Sequence, residues 1–314
     1  MKKICITGVS GFIGQNLYNK FIKLNRTVVG TVRNFDHLSG NNNFKHISVG
    51  NIGPETNWHN ALEEVDCVVH CAGIAHSMNE NKNQEIYRLV NTEGTRRLAE
   101  CAVKEGVKKL IFLSSIKVNG EKTDNTVSKF SNNNLPNPQD AYSISKLEAE
   151  KILWDISAET DLEVVIVRLP LVYGHGAKGN LKSLMQLVNS GIPLPFRLIN
   201  NRRSLIGIDN LIDLLISCID HPEAKGKTFL VSDDEDLSTP DLINYIASAM
   251  GRSARLFPLP IPLLKFLGFC IRRSNQINRL IESLQSDIEQ TRKTLNWSPK
   301  VSVQEGIRRM VQGK

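Results

Sequence analysis

The feature that most limits how this chain can fold is an alternation that runs through roughly its first half. Short apolar runs recur: KICIT, TVVGTV, FKHISVG, DCVVHCAG, KKLIFLSS and LEVVIVRLP. Between most of them lie helix-length segments: FIGQNLYNKFIKL, a short piece near HNALEEV, a long one from NQEIYRLV to AVKEG, and AYSISKLEAEKILWDISAE. The strand runs are continuously apolar, not alternating, as expected of strands buried on both faces. Strands of that kind interleaved with helices specify an α/β chain with a doubly wound parallel sheet.

After about residue 175 the rhythm breaks. Pro, Gly and Asn cluster in SGIPLPFRLINNRRS, short helical pieces follow, and KTFLVS reads as one more strand. The expectation is a sheet domain over 1–175 and a smaller, mostly helical lobe over 176–314, with some of the later elements returning to the main sheet. The most apolar piece, LFPLPIPLLKFLGFC, is interrupted by prolines and falls short of the 18 or so residues of a membrane span. It is expected to be a buried or lobe-packing helix in preference to a membrane contact. The Asn-rich patches at 41–43 and 132–134 read as loops.

Charge narrows the partners. The formal net charge is +7, which favours anionic ligands. Lys and Arg are spread along the chain without aromatic interleaving, so nucleic acid is not expected. A small anionic ligand or an acidic membrane surface suits the balance. The six cysteines, Cys5, Cys67, Cys71, Cys101, Cys218 and Cys270, have no metal-ligand spacing, so no metal is expected. They read as reduced thiols of a cytoplasmic protein, mostly buried. Only three apolar residues separate Lys3 from Thr7, which does not suit a signal peptide.

Between the first strand and the first helix stands TGVSGFIG, with glycines at Gly8, Gly11 and Gly14. Gly8 permits a tight turn, Gly11 lets a pyrophosphate approach, and Gly14 lets helix and strand pack closely. The free amides at the helix N-terminus, near Phe12 and Ile13, favour an anion. In this strand–turn–helix setting the glycines form a Rossmann dinucleotide fingerprint. The second strand ends in VVGTVRN, without the acid that would bond an NAD ribose. Arg33 stands there instead and suits a 2′-phosphate, so NADP(H) is favoured, with NAD(H) as the alternative. In YSISK, Tyr142 and Lys146 are four apart on a helix and face the same way. This helix follows the strand ending in LSS, whose hydroxyls lie at a carboxyl end where open α/β sheets bind ligands.

These residues carry a resemblance. TGVSGFIG, HCAG at 70–73, NTEGT at 91–95, FLSSIKVNG at 112–120, YSISK at 142–146 and RLPLVYG at 168–174 resemble the extended short-chain dehydrogenase/reductases that act on nucleotide sugars. The likeness continues through NLKSLMQLV, NNRRSLIGIDNLIDLL and TLNWSP, so it spans almost the whole chain. It implies that Ser115 bonds the substrate oxygen and that Tyr142 is the general acid or base. It implies that Lys146 holds the nicotinamide ribose and lowers the phenol's pKa. Asn51 and Ile52 would contact adenine, Asn51 replacing the usual Asp. Ala72, Gly73 and Asn91 would line the phosphate and ribose. Asn180 and Arg203 would hold the substrate diphosphate, with the PLPF stretch on the base. A homodimer is a further expectation from the family.

Two departures bear on activity. Pro170 and Leu171 stand where UDP-galactose 4-epimerases carry Phe-Asn, and Asn119 replaces the common tyrosine before Gly120. The leading expectation is therefore a 4-ketoreductase of a UDP-4-keto-6-deoxy-hexosamine, serving surface polysaccharide. A UDP-hexose or UDP-N-acetylhexosamine 4-epimerase is the alternative. A catalytically silent dinucleotide-binding protein is more distant, because Ser115, Tyr142 and Lys146 are all present.

Overall fold

A computed structural model describes residues 2–34, 46–75, 80–124, 128–177 and 179–313, with side chains at 80–83 excepted. The Asn-rich patch at 41–43 and the first two residues of FKHISVG lie outside the described residues. Seven strands form one sheet: β1 (Ile4–Thr7), β2 (Val28–Val32), β3 (His46–Ser48), β4 (Cys67–His70), β5 (Lys109–Ser115), β6 (Glu163–Leu169) and, much later, Lys227–Leu230. The spatial order is β3-β2-β1-β4-β5-β6 with the late strand at the far edge. Every pairing is parallel, for example Ile6 beside Gly30 and Val69. The order reverses across β1 and β4, which makes their carboxyl ends the switch point.

Helices cover both faces. On one side α1 (Phe12–Lys23) packs; on the other lie α2 (His59–Leu62), α3 (Glu80–Tyr87), α4 (Gly94–Lys104) and α5 (Ala141–Glu159). Successive strand residues point to opposite faces. Ile4, Ile6, Val69, Ile111 and Val165 therefore meet Leu17 and Phe21, whereas Cys5, Val68, Leu110, Val164 and Ile166 meet Leu98, Ala149 and Leu153. Helix α5 starts at a capping box: Ser143 N donates to Asp140 Oδ1 at 2.7 Å while Asp140 N donates to Ser143 Oγ at 3.2 Å.

The remaining elements build the lobe and also rejoin the sheet. A small parallel pair joins β7 (Leu171–Tyr173) to β8 (Leu205–Gly207), with α6 (Asn180–Asn189) between them. Helix α7 (Ile208–Asp220) returns to the α1 face, and Lys227–Leu230, now β9, pairs with β6. Then come α8 (Thr239–Ala249), α9 (Ile261–Cys270), α10 (Ser274–Ile281), α11 (Glu289–Leu295) and α12 (Val303–Gln312). The lobe has its own core of Leu184, Phe196, Ile243, Ile246, Ile307 and Met310.

Two expectations need correction. Helix α9 packs on the lobe, as one of the two expectations had it, through Leu264 and Gly268, but it is not buried: its apolar residues run all round while the lobe contacts one side. Cys270 is exposed at its end, unlike Cys5, Cys67 and Cys218 in the core.

Candidate functional site

The carboxyl ends of β1, β4 and β5 meet the start of α1 and the first turns of α5, and the predicted residues gather there. Gly8 takes φ +70°, a left-handed conformation that suits glycine. A Cβ there would lie 2.9 Å from the Ala72 Cα, so turn and β4 exit touch. A Cβ at Gly14 would lie 2.9 Å from the Gly8 carbonyl carbon. Helix α1 therefore begins pressed against the turn. Gly11 caps it without a side-chain acceptor, which leaves the first amides, including those of Phe12 and Ile13, for a ligand. This cradle fits a dinucleotide phosphate.

Ala72 N donates to Thr7 Oγ1 at 3.1 Å, which fixes the strand exits together. Asn91 sits on a six-residue π-helical turn, Arg88–Glu93, between α3 and α4. Its amide accepts from Ile74 N at 2.9 Å and donates to Ile74 O at 3.0 Å and Ser145 Oγ at 3.1 Å. Asn91 thus shapes the Ala72–Gly73 wall and ties it to α5. A Cβ at Gly73 would lie 3.1 Å from Asn91 Oδ1 and 3.4 Å from Lys146 Nζ. Ile52 packs on Gly94, and Asn51 is exposed beside it. Arg33 is exposed just past the end of β2, its carbonyl accepting from Ser48 Oγ at 2.9 Å.

Ser115, Tyr142 and Lys146 come together. Ser115 ends β5 and is buried, its hydroxyl accepting from Lys117 N at 3.3 Å and standing near enough to the Tyr142 phenol to influence its titration. Tyr142 keeps some exposure, while Tyr87 packs edge-on at 5.9 Å between ring centroids. Burial pushes the phenol up to about 12, and the Ser115 hydroxyl opposes that. Lys146 donates to the Leu113 carbonyl at 2.9 Å and stands 4.4 Å over the Phe112 ring. Burial pulls its pKa down to about 8, against the favourable field of Glu150. Desolvation is the largest influence on the Tyr142 phenol, while the Lys146 ammonium gives one of its three N–H donors to Leu113 and keeps the others.

The substrate-side candidates belong to the elements that follow residue 175. Asn180 opens α6 and is exposed. Arg203 donates through Nη1 to the carbonyls of Arg279 and Glu282, each at 3.0 Å, at the end of α10. Burial lowers its pKa. Phe196 of the PLPF stretch is in the lobe core, so it does not offer its ring to a base.

Other polar groups were not singled out by the sequence. His70 Nδ1 lies 2.7 Å from Thr7 Oγ1 and its Nε2 3.1 Å from Thr95 Oγ1. Glu150, one turn beyond Lys146, accepts from Arg168 Nε at 3.0 Å and also from Ser114. Arg168 Nη1 donates to Asn119 Oδ1 at 3.1 Å. Glu150 could have been found from its i+4 spacing to Lys146. Asn119 is 2 % exposed and serves Arg168, so its departure from the usual tyrosine belongs to a buried polar network.

A fold with a switch-point glycine cradle and a Ser-Tyr-Lys cluster defines a dinucleotide-binding α/β protein. The NAD dependent epimerase/dehydratase family model matches residues 4–232, and the chain belongs to that family. It is 42% identical over 315 aligned positions to a UDP-glucose 4-epimerase of Vibrio cholerae, spanning 99% of this chain and 95% of that protein. Its fold resembles the UDP-glucuronic acid 4-epimerase of Bacillus cereus in complex with NAD, at TM-score 0.79 and 23% identity, covering 99% and 97% of the two chains. It also resembles the UDP-glucose 4-epimerase of Thermotoga maritima with UDP-glucose, at TM-score 0.78 and 20% identity, covering 99% and 97%.

Proposed function

We propose that this protein is a 4-epimerase of a UDP-hexose, working with a retained NAD. The observation that carries the reading is the gathering of Ser115, Tyr142 and Lys146 at the switch point of a chain 42% identical, end to end, to a UDP-glucose 4-epimerase. That kinship supports the epimerase over the 4-ketoreductase that Pro170, Leu171 and Asn119 suggested. Asn119 no longer argues against it, since its side chain holds Arg168.

A bound nicotinamide would supply two-electron oxidation and re-reduction at sugar C4. The chain's own residues do the rest. As the phenolate, Tyr142 would take the C4 hydroxyl proton when C4 is oxidised and return it to that same oxygen when C4 is reduced from its other face, with Ser115 positioning the sugar oxygen. The high phenol pKa makes an added positive field valuable, and Lys146 is the cation at hand. The glycine cradle and the α1 amides hold the phosphates. Arg203 and Asn180 are the candidates for the UDP diphosphate. Arg33 remains available to a 2′-phosphate, but an epimerase regenerates its cofactor each turnover and has no need of the NADPH pool.

The test is to release and identify any nucleotide carried by the purified protein, then supply UDP-glucose and UDP-N-acetylglucosamine. The expected result is NAD, with interconversion of C4 epimers and no net change in nicotinamide absorbance. Tyr142→Phe should cut turnover by about 10²- to 10⁴-fold while retaining the nucleotide. Stoichiometric NADPH consumption with a UDP-4-keto sugar, and no epimerisation, would restore the reductase.

A further inference from the structure

We infer that the outward face of α9 is a docking surface for an anionic lipid bilayer. Leu263, Phe266, Leu267 and Phe269 on this helix, with Ile271 just after it, are 45%, 59%, 44%, 74% and 60% exposed. At 100° per residue, Leu263, Phe266, Leu267, Phe269 and Cys270 share one side, opposite the buried Leu264 and Gly268. The inner side is anchored closely: a Cβ at Gly268 would lie 2.7 Å from the Ile277 side chain of α10. The outer side is a contiguous apolar strip with two aromatic rings, larger than the scattered exposure normal on a soluble surface.

Charge selects the partner. From Leu242 to Ile281 the sequence holds six cations, Arg252, Arg255, Lys265, Arg272, Arg273 and Arg279, and no Asp or Glu. The chain's formal net charge is +7, so this stretch accounts for most of the excess. Lys265, Arg272 and Arg273 are exposed at the flank and end of the strip, and among the described residues none has a carboxylate partner. An apolar strip bordered by unpaired cations matches the interface of an anionic membrane, with rings entering the acyl boundary and cations meeting headgroup phosphates. A second copy of the same surface would face cation against cation, which disfavours self-association there. No described helix is long and apolar enough to cross a membrane, so the contact is peripheral.

The placement bears on the site. Helix α9 packs on α10, and the main-chain carbonyls of Arg279 and Glu282, at the end of α10, hold Arg203. A lobe seated on a bilayer through α9 would keep Arg203 one helix away from the lipid surface.

The test uses the full chain and vesicles of phosphatidylcholine alone or with about a third phosphatidylglycerol. The expected result is co-sedimentation with the anionic vesicles only, weakened by high salt. Phe266→Glu/Phe269→Glu should abolish it, and Lys265→Glu/Arg273→Glu should weaken it by roughly tenfold or more. Both pairs are exposed, and unchanged melting and nucleotide retention would show that the variants fold. Failure of the wild-type chain to bind anionic vesicles, or binding untouched by the Phe pair, overturns the proposal. So does light scattering that shows a dimer which the Phe pair converts to monomer in a chain that ignores vesicles.

Discussion

At the scale of single residues, the site is governed by burial more than by charge pairing. His70 shows this most sharply. It is fully enclosed between Thr7 and Thr95, and burial, helped by the nearby Lys146 ammonium, pulls its pKa from 6.5 to about 3. The folded state therefore refuses a proton that the unfolded chain accepts between those values. Stability is fully present above about 6.5 and falls as pH drops towards about 3. Taken alone, His70 should cost roughly 2–3 kcal/mol between pH 7 and pH 4.5. Denaturant melts at both pH values should show that loss, and His70→Gln should show a smaller one whatever its stability at neutral pH. An equal acid loss in both proteins would place the sensitivity elsewhere. The motif HCAG marked this position, but periodicity could not say that the ring would be neutral and clamped by two threonines.

At the scale of elements, the glycine turn and α1 behave as one rigid piece. A methyl at Gly14 would press on the Gly8 backbone, which cannot yield as a flexible side chain could. Gly14→Ala should destabilise by about 1–3 kcal/mol through overpacking. It should also loosen the retained nucleotide, because α1 must back away from the phosphate cradle. A thermal melt with nucleotide quantitation checks both, and a variant with wild-type melting and full occupancy would refute the tight-packing account. The seven sheet strands and the helices that position the site were legible in the sequence because continuously apolar runs alternate with helical ones under regular turn punctuation. KICIT, KKLIFLSS and AYSISKLEAEKILWDISAE lie where periodicity places them. The short β7 and β8 were missed because each merges with its neighbour, β7 one residue after β6 and β8 running directly into α7. The π-helical turn that presents Asn91 was also missed, since it differs from an α-helix by backbone winding and not by hydrophobic period. Helix α9 packs on the lobe as expected but far less of it is buried, because an all-apolar run reports hydrophobicity without saying which side has a partner.

At the scale of the whole molecule, the parts that follow residue 175 complete the sheet core and do more than sit beside it. Leu211, Leu214, Leu215 and Cys218 from α7, Phe229 and Val231 from the β9 region, and Leu295 and Trp297 near α11 share one core with Ile4, Ile6, Leu17 and Val69. Strand β9 also supplies the outer pairing partner of β6, from Val165 beside Lys227 to Arg168 beside Leu230. Lys109, 7 % exposed on β5, donates to the Cys218 and Ile219 carbonyls at 3.4 and 3.3 Å, so α7 solvates a buried ammonium. Each large apolar side chain in that set contributes about 1.5–3 kcal/mol when fully buried. Their sum rivals the whole stability of an ordinary domain, about 5–15 kcal/mol. A fragment of residues 1–175 would keep every glycine of the cradle and all of Ser115, Tyr142 and Lys146. It would nevertheless expose the α7 side of the core and an unpaired β6 edge. We therefore predict that the full chain unfolds in a single cooperative transition, with near-ultraviolet dichroism and nucleotide release coinciding. The 1–175 fragment should give no cooperative melt and retain no nucleotide. A sharp transition in the fragment, or a two-step melt of the intact chain with nucleotide kept through the first step, would make the sheet an autonomous unit and the lobe an appendage.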